Sequence, residues 1–435
     1  VLLSAQGANA SRTTAKAAAK GAAEDDGVEG SGDDNGVNDQ VDAQRGLANT
    51  RSSEGTGTQD TPDAETADTD DTDGETGDDA TGDSVSVAAA IAVNITESNS
   101  VARVDGITID TQGSVTLRSG ANTDGSATAD GSTTDSSTGI GAAVALNVTD
   151  VDNTAGIGGT AAVTGDGITV EAVMTDRDGK DVHETSAKAT SGAGASDVGV
   201  AGSLAINATV VRTTALLEGG AQVTLRDGNG DGIGELKLAS VSVTKATAQA
   251  LPKDGGATGS DAGIGASVAL NIADNDTRSA IAADAVVNSA KDINLSASGD
   301  YTMSTKAKQG AAGGVAVTPV VAISVALNTT SAEIESGPTI TTTGDVTIAA
   351  TQLTTTKTEA EGKAEGTDAA VGAALGLTIA VDETSAQLTR DLTTSAAGAV
   401  MISALGASAS RANAKASSVG AEGDDDTDSG DDNAV

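Results

Sequence analysis

The chain has 435 residues, with 63 acidic and 24 basic side chains and a net charge of −39. With no Cys, Trp or Phe, one His and one Tyr, it has no disulfides, no thiolate or multi-histidine metal centre, no cysteine nucleophile and no aromatic ligand platform. The charge opposes binding to nucleic acid and anionic membranes, and no apolar run is long enough for a bilayer span, so we expect neither these partners nor an enzyme.

The first 83 residues consist of two segments of different composition. Residues 1–23 predict the tail strand of a preceding repeat, and residues 24–83 an acidic Gly/Asp/Thr-rich insert. From Glu54 to Asp83 there are twelve acids and no Lys or Arg, a composition typical of disorder. The regular apolar alternation elsewhere predicts ordered repeats joined by acidic loops.

A motif of a small residue, Val, Leu or Ile, Ala, an aliphatic residue and Asn recurs after residue 84. Its copies end at Asn94, Asn147, Asn207, Asn271, Asn328 and, in degraded form, Asp382, with spacings of 53, 60, 64, 57 and 54 residues. Each copy is followed by a Thr/Ser-x-Ala-x-aliphatic element, a Gly/Asp turn, a second aliphatic strand and a tail of Ala, Ser, Thr and Lys. Chance is a poor explanation for six copies with the same order of elements, so the pattern indicates tandem repeats.

The period-two alternation and the Val, Ile and Thr content predict strands. We therefore predict an all-β fold, a parallel β-solenoid of about six tandem units with acidic loop insertions, rather than a propeller, whose aromatic signatures are absent. Each unit is either one large coil or two to three coils of about 20 residues. The predicted repeats cover 84–137, 138–197, 198–261, 262–314, 315–369 and 370–435 with an acidic tail.

The first strand of each repeat separates large and small side chains. In 85–95, Val85, Val87, Ile91, Val93 and Ile95 share one face, and Ser86, Ala88, Ala90, Ala92 and Asn94 the other. We expect the bulky face to form the solenoid core. The Ala face is then covered by loops, tolerated by solvent, or packed on another sheet, within the coil or on a neighbouring molecule. If one unit is one coil, the recurrent Asn side chains stack directly.

The two ends of the chain resemble each other. Residues 1–17 and 400–416 match at eleven of seventeen positions, and an acidic stretch follows each. The chain thus starts and stops at one phase of the repeat. We expect an internal piece of a longer protein, or a subunit that joins copies of itself head to tail.

The repeats resemble those of giant bacterial surface adhesins and filamentous-haemagglutinin-like β-helix exoproteins. The elements that carry this resemblance are ASVALN at 266–271, TRSAI at 277–281 and GDVTI at 344–348, within about 350 residues of repeats. It implies an extracellular, right-handed parallel β-helix that serves in adhesion or matrix building. The long acidic insert departs from that pattern.

Two acidic loops are candidate Ca²⁺ sites. In the first, Asp227, Asn229 and Asp231 supply oxygens at positions 1, 3 and 5, a Gly follows, and Glu235 stands at position 9, as suits a hard cation. Asp176, Asp178 and Asp181 form a weaker version, because Arg177 and Lys180 compete for the carboxylates. The alternative at both loops is a plain Asp/Gly turn.

Four further features have a plain structural explanation beside a functional one. Asn94, Asn147, Asn207 and Asn328 each begin an N-x-Thr sequon and are candidate glycosylation sites, although a strand can hide them. We expect His183 to be a surface residue in a charged loop and Tyr301 to pack at a strand edge. Thr runs at 339–343 and 354–356 suggest an ice-binding face, but the variable spacing of the repeats argues against one.

These features together predict an extracellular structural protein. We expect a calcium-stabilised β-solenoid segment of a fibre or giant adhesin that stacks head to tail, with a lateral contact through its Ala-rich strand faces. The alternatives are an adhesin stalk that binds a receptor or surface without self-assembly and, less favoured, an ice-binding module.

Overall fold

The computed structural model describes residues 1–20, 84–226, 234–394 and 398–420. Within these ranges the chain is all-β and contains no helix. The described strands belong to one compact unit. The acidic insert predicted at 24–83 and the acidic tail at 421–435 lie outside the described residues.

Sixteen strands lie in the described ranges. They are β1 (Leu2–Lys20), β2 (Val85–Val104), β3 (Thr108–Asp110), β4 (Val115–Ile157), β5 (Ala162–Gly165), β6 (Ile168–Met174), β7 (His183–Leu217), β8 (Gln222–Leu225), β9 (Glu235–Thr258), β10 (Ala262–Ile281), β11 (Val286–Asn288), β12 (Asp292–Ile334), β13 (Ile340–Thr342), β14 (Val346–Leu388), β15 (Leu392–Thr394) and β16 (Val400–Val419).

The long strands form one large parallel sheet in the order β1-β4-β6-β9-β7-β10-β12-β14-β16, and β2 also pairs with β4. The short strands form two small parallel sheets, β11-β8-β5-β3 and β13-β15. This is a β-solenoid-like parallel fold, as the repeats predicted.

The long strands are of two types. Motif strands carry the Asn motif and cover 85–104, 138–157, 198–217, 262–281, 315–334 and 369–388. Tail strands cover 2–20, 116–134, 168–174 with 183–194, 235–258, 293–313, 346–366 and 400–419.

One sequence repeat corresponds to one complete turn of the chain. Asn94 pairs in parallel register with Asn147, 53 residues later, and Asn147 pairs with Asn207. Between them the chain runs along a motif strand, a short strand and a tail strand before it returns. The coils are therefore the large ones, not two or three small coils of about 20 residues per repeat.

The variable repeat length comes from local insertions. Ala121 pairs with Met174, 53 residues later, but Gly125 pairs with Thr185, 60 residues later, so the loop between β6 and β7 adds seven residues. The strand pairing resumes in phase after the loop. Other length differences fall within the paired strands as local irregularities, such as the one-residue shift between Gly313 and Val315.

The face of each motif strand that points into the coil is the opposite of the one that we expected. Ala90 and Ala92 of β2 are buried, whereas Ile91 is 66% exposed. The same alternation continues in the other motif strands, so the prediction that the bulky face forms the core is wrong for these strands. The Ala faces lie inside the coil, against the facing tail strands.

The small residues face inward because the two layers of strands lie very close together. A Cβ added to Gly131 would lie 1.8 Å from the carbonyl oxygen of Ala142, and one on Gly141 would lie 2.2 Å from that of Gly192. At these two positions only Gly fits without forcing the layers apart, and the neighbouring interior positions hold mainly Ala. A continuous buried Ala cluster therefore fills this part of the interior.

Larger aliphatic side chains fill the end of each coil where the short strands lie. Leu117, Ile157 and Ile168 are fully buried there, in one cluster that continues to Val346 and Ile348. The GDVTI element at 344–348 therefore does direct its bulky residues inward. The short third strand opens the coil at this end and makes room for Leu and Ile.

Candidate functional site

A row of asparagine side chains runs through the core, as expected for one coil per repeat. Nδ2 of Asn94 donates to Oδ1 of Asn147 at 2.7 Å, and Asn147 donates to Asn207 at 2.8 Å. Asn207 continues the row to Asn271 at 2.9 Å. Each buried amide thus satisfies its neighbour, which fixes the coil-to-coil register with polar groups.

The row shifts by four residues between β10 and β12. Asn328 does not face Asn271, although both end the same motif. It accepts a hydrogen bond from Asn275 at 2.7 Å and donates to Asp382 at 2.8 Å. An even shift keeps the inward face inward. The pairs Thr277–Thr330 and Ile281–Ile334 remain in register. The equivalent residues at the end of the coil therefore stay aligned, while the Asn positions of the motif do not.

The four sequons lie on this inward face. The side chains of Asn94, Asn147, Asn207 and Asn328 are at most 2% exposed. Their amide nitrogens donate to neighbouring side chains within the core. In the folded strands these asparagines therefore have no space for a glycan.

The first candidate calcium loop lies largely outside the described residues. This applies to Asp227, Asn229 and Asp231. Glu235 is described and is the exposed first residue of β9. The loop is an insertion at a corner of the coil, because Thr164 pairs with Thr224 before it while Ile168 pairs with Leu236 after it.

The second candidate loop forms a tight turn. Arg177 and Lys180 exchange two backbone hydrogen bonds of 3.0 Å, and Asp178 and Gly179 between them have φ values of 56° and 77°. This is the Asp-Gly geometry of a hairpin turn. The side chains of Asp176, Asp178 and Asp181 are exposed. Within the described ranges no three acidic or His side chains are grouped as metal ligands.

His183 is a core residue, contrary to the expectation of a surface position. It is fully buried at the start of β7, and its Nδ1 accepts a hydrogen bond from the backbone N–H of Thr123 at 3.0 Å. Burial lowers the pKa of His183 to about 4. The residue is therefore a neutral structural histidine at neutral pH. The charged neighbours in sequence gave the wrong signal because they point outward.

Tyr301 is also internal rather than at a strand edge. It lies within β12 between Thr244 and Thr354 of the neighbouring strands. Its hydroxyl lies 2.7 Å from Oγ1 of Thr277 and 3.3 Å from that of Thr330. Burial raises the pKa of Tyr301 to about 12, against the opposing effect of these two hydrogen bonds.

Arg390 ties coil corners together, a role that the sequence did not indicate. Its guanidinium donates to the carbonyl oxygens of Ala285 at 2.7 Å, Ala282 at 2.8 Å and Glu335 at 2.5 Å. The side chain is buried, and desolvation lowers its pKa from the usual value. One planar cation thus binds backbone groups from two successive corners.

The first half of each motif strand has an apolar outer surface. We define the aliphatic face as the outward side chains of six segments, which are every second residue beginning with the first of each segment. The segments are 87–95, 140–148, 200–208, 264–272, 317–325 and 371–379. They lie in register across six neighbouring described strands. These thirty positions hold only Val, Ile, Leu, Ala, Gly and Pro. Ile95 is 74% exposed and Val371 is 56% exposed.

The outer surface of the tail strands is polar. Lys357 and Glu359 of β14 pair at 2.6 Å, and Lys306 of β12 approaches Glu359 at 3.9 Å. Similar Lys–Glu pairs connect other neighbouring tail strands, such as Lys237 with Glu171 at 2.8 Å. The outer surface of the tail strands therefore differs in chemistry from the aliphatic face of the same coils.

The strand ladder has equivalent strands at its two ends. β1 pairs with β4 along one edge only, and β16 pairs with β14 along one edge only, within the described chain. Both are tail strands, in accordance with the sequence similarity of residues 1–17 and 400–416. The second edge of each of these strands has no pairing partner among the described residues.

The Thr runs do not form a flat exposed row. Thr354 and Thr356 point into the core and are about 2% exposed or less, whereas Thr355 points outward. Thr342 is likewise buried between exposed neighbours. The ice-binding alternative therefore lacks the array on which it depended.

Comparison with known proteins found no match to a family model, a curated protein or a solved structure. The described part of the chain contains no helix that is long and apolar enough to cross a bilayer. What can be assigned directly is thus the fold class, a β-solenoid-like parallel all-β fold.

Proposed function

We propose that this chain is an extracellular structural protein, a right-handed solenoid segment of about six coils that acts as a stiff spacer in a giant adhesin or related exoprotein. The observation that carries the proposal is the parallel pairing that continues from β1 to β16. The similarity to adhesin repeats supports the location and the handedness.

Several contacts join successive coils and suit a mechanical role. Backbone ladders connect every pair of neighbouring long strands, and the Asn row connects their interiors. On the outer surface, Arg278 of β10 forms ion pairs with Glu333 and Glu335 of the next coil. Because load is shared among many parallel contacts, a coil must lose its pairing as a unit before it extends.

Stretching single molecules from end to end tests this proposal. Each coil contains 53 to 64 residues, so its release should lengthen the chain by steps of about 200 Å, at about 3.6 Å per extended residue. We expect a series of such steps. Smooth extension without steps of this size would contradict a role as a stiff spacer.

A fibre subunit that stacks head to tail is the second candidate, favoured by the equivalence of β1 and β16. If β16 of one copy pairs with β1 of the next, the tail strands continue, but the motif strands do not. Among the described strands, none lies at the position between the motif strand of β14 and β2 of the next copy.

Electron microscopy in millimolar calcium distinguishes the two candidates. Threads about 70 Å wide, the length of a 20-residue strand, would support the fibre subunit. Separate particles of constant size would support the spacer. The measurement should be repeated at high protein concentration, because end-to-end association depends on it.

Calcium bound at Asp227, Asn229, Asp231 and Glu235 is part of the proposal, because carboxylate and amide oxygens suit this cation and the chain carries a charge of −39. Chelation should lower the melting temperature. The variant Asp227→Asn/Asp231→Asn should lose most of the difference between calcium and chelator, whereas Asp176→Asn/Asp178→Asn should keep it. A melting temperature that is equal in calcium and in chelator would contradict calcium binding.

A further inference from the structure

The aliphatic face is too uniform to be an ordinary solvent-exposed surface. All thirty of its positions lack a charge, in a chain in which 20% of the residues are charged. In three of its six strands the next outward residue is charged, namely Glu97, Asp150 and Asp274. The apolar rows are therefore aligned from strand to strand, and charge is confined to their border.

The other outer surface shows that these strands can carry charge. Tail strands have the same parallel pairing and the same spacing, but their outward positions hold Lys and Glu in cross-strand pairs, such as Lys308 with Glu361. Water-facing positions of this fold therefore accept charges readily. Strand geometry therefore does not explain why the aliphatic face lacks charge.

The area of the aliphatic face matches a protein interface. Six strands and five outward positions per strand cover roughly 30 Å by 30 Å, on the order of 900 Å². The largest apolar patch of a typical monomer covers about 300–600 Å². A standard stable interface buries about 800 Å² on each partner. One aliphatic face is thus sufficient for one partner.

We propose that two copies of this chain pack back to back through their aliphatic faces. A second copy supplies an apolar surface of the same size. Residues 21–83 contain only three Val and one Leu and residues 421–435 only one Val, so neither of these segments supplies such a surface. The acidic border disfavours an anionic membrane as the partner.

Pairing through this face ends at two copies. The opposite surface of each copy is formed by the tail strands and carries Lys–Glu pairs, so it offers no second aliphatic face to a third copy. The lateral contact that the sequence suggested through Ala-rich faces cannot use those faces in the inner coils, because they are buried. In the proposed pair, the outward aliphatic side chains form the lateral contact instead.

Molar mass in solution tests the proposal. The chain has a mass of 41.8 kDa, so light scattering after size exclusion should give about twice that value at micromolar concentration. In the variant Val268→Lys/Ile272→Lys, which places two charges in the face, the dissociation constant should rise by on the order of 100-fold. Ser298→Lys/Thr302→Lys, with the same charge change on exposed tail-strand positions, should remain a dimer.

A milder pair keeps the test valid if the lysine variant does not fold. Val268→Thr/Ile272→Thr keeps β-branched side chains, and its dissociation constant should rise about 10-fold. Circular dichroism confirms the fold of each variant. A dimer unaffected by both face variants would overturn the proposal and indicate association through the strand edges instead.

A monomeric wild-type chain at all concentrations would also overturn the proposal. Flotation with phosphatidylcholine vesicles then identifies the other occupant: wild type that floats, with Val268→Lys/Ile272→Lys that does not, would assign the face to a lipid surface. The proposal is independent of the spacer and fibre roles. Threads can form without a back-to-back pair, and the pair can form without threads.

Discussion

The side-chain amide of Asn147 donates to Oδ1 of Asn207 at 2.8 Å, across a coil boundary that separates the two residues by 60 positions. Both side chains are fully buried. Asn147 also accepts a hydrogen bond from Asn94, so it connects the coils on both sides. This single contact links the sequence repeat to the turn of the solenoid.

Removing the amide of Asn147 should therefore destabilise the protein. Asn147→Ala leaves a buried donor on Asn94 and a buried acceptor on Asn207 without their partner. We expect the free energy of unfolding to fall by about 3 kcal/mol. Asn99→Ala, at an outward position of β2, should change it by no more than about 0.5 kcal/mol. Equal denaturant midpoints for the two variants would contradict a structural Asn row.

His183 should make stability depend on pH in the acidic range. Its pKa in the folded chain is about 4, below the usual value near 6.5, so between these values the unfolded chain binds a proton that the folded chain does not. The unfolding free energy should thus fall as the pH drops from about 6.5 to about 4, by up to about 3 kcal/mol. Above about pH 6.5 this contribution is fully present.

The variant His183→Gln isolates this effect from the titration of carboxylates. The difference in unfolding free energy between wild type and the variant should change across this pH interval and become constant above it. Urea unfolding at a series of pH values measures both curves. Parallel curves over the whole interval would show that His183 is not buried in its neutral form.

Tyr301 provides a direct spectroscopic check of the core. Its pKa of about 12 in the folded chain exceeds the usual value near 10. Phenolate absorbance should therefore rise only near pH 12 in the native protein and near pH 10 in denaturant. The stability that Tyr301 contributes is complete below pH 10 and is lost as the pH rises toward 12. A native midpoint near 10 would place Tyr301 at the surface.

Arg390 should be important for stability although it lies outside the repeated motifs. Arg390→Ala removes the donors for the carbonyl oxygens of Ala282, Ala285 and Glu335, and we expect a loss of about 3 kcal/mol. Arg390→Lys should recover only part of it, because an ammonium group lacks the planar fork. Arg411→Ala, at an exposed position of β16, is the charge-matched control. Equal thermal stabilities of the Arg390 and Arg411 variants would contradict the corner contact.

Much of the architecture could be predicted from the sequence. Alternation identified the strands, and the recurrence of Asn predicted a stacked row on the condition that each repeat forms one coil. Alternation also separates the two faces of a strand, but it does not say which face is inside. In β2 that depends on the distance between two layers of strands, which the close approach of Gly131 to Ala142 shows only in the folded coil. The usual preference for burying Ile91 therefore gave the wrong result.

The individual site residues were predicted less well, for related reasons. The neighbours of His183 are charged, but a strand directs successive side chains to opposite faces, so the charge of a neighbour says little about burial. The role of Arg390 depends on carbonyl groups about 55 and 105 residues away in sequence. At 176–181 the Asp-Gly pattern is that of the turn the chain forms, and the same pattern also suits calcium.

The orientation of the motif strands is the central claim, since the thin core, the Asn row and the back-to-back pair depend on it. The chain has no Cys, so single cysteines can report on adjacent positions of β2 beyond the aliphatic face. Val101 is 47% exposed and Ala102 is 5% exposed. Native Val101→Cys should react with a maleimide as fast as a free thiol, and Ala102→Cys only after unfolding. The reverse order of reactivity would contradict the account.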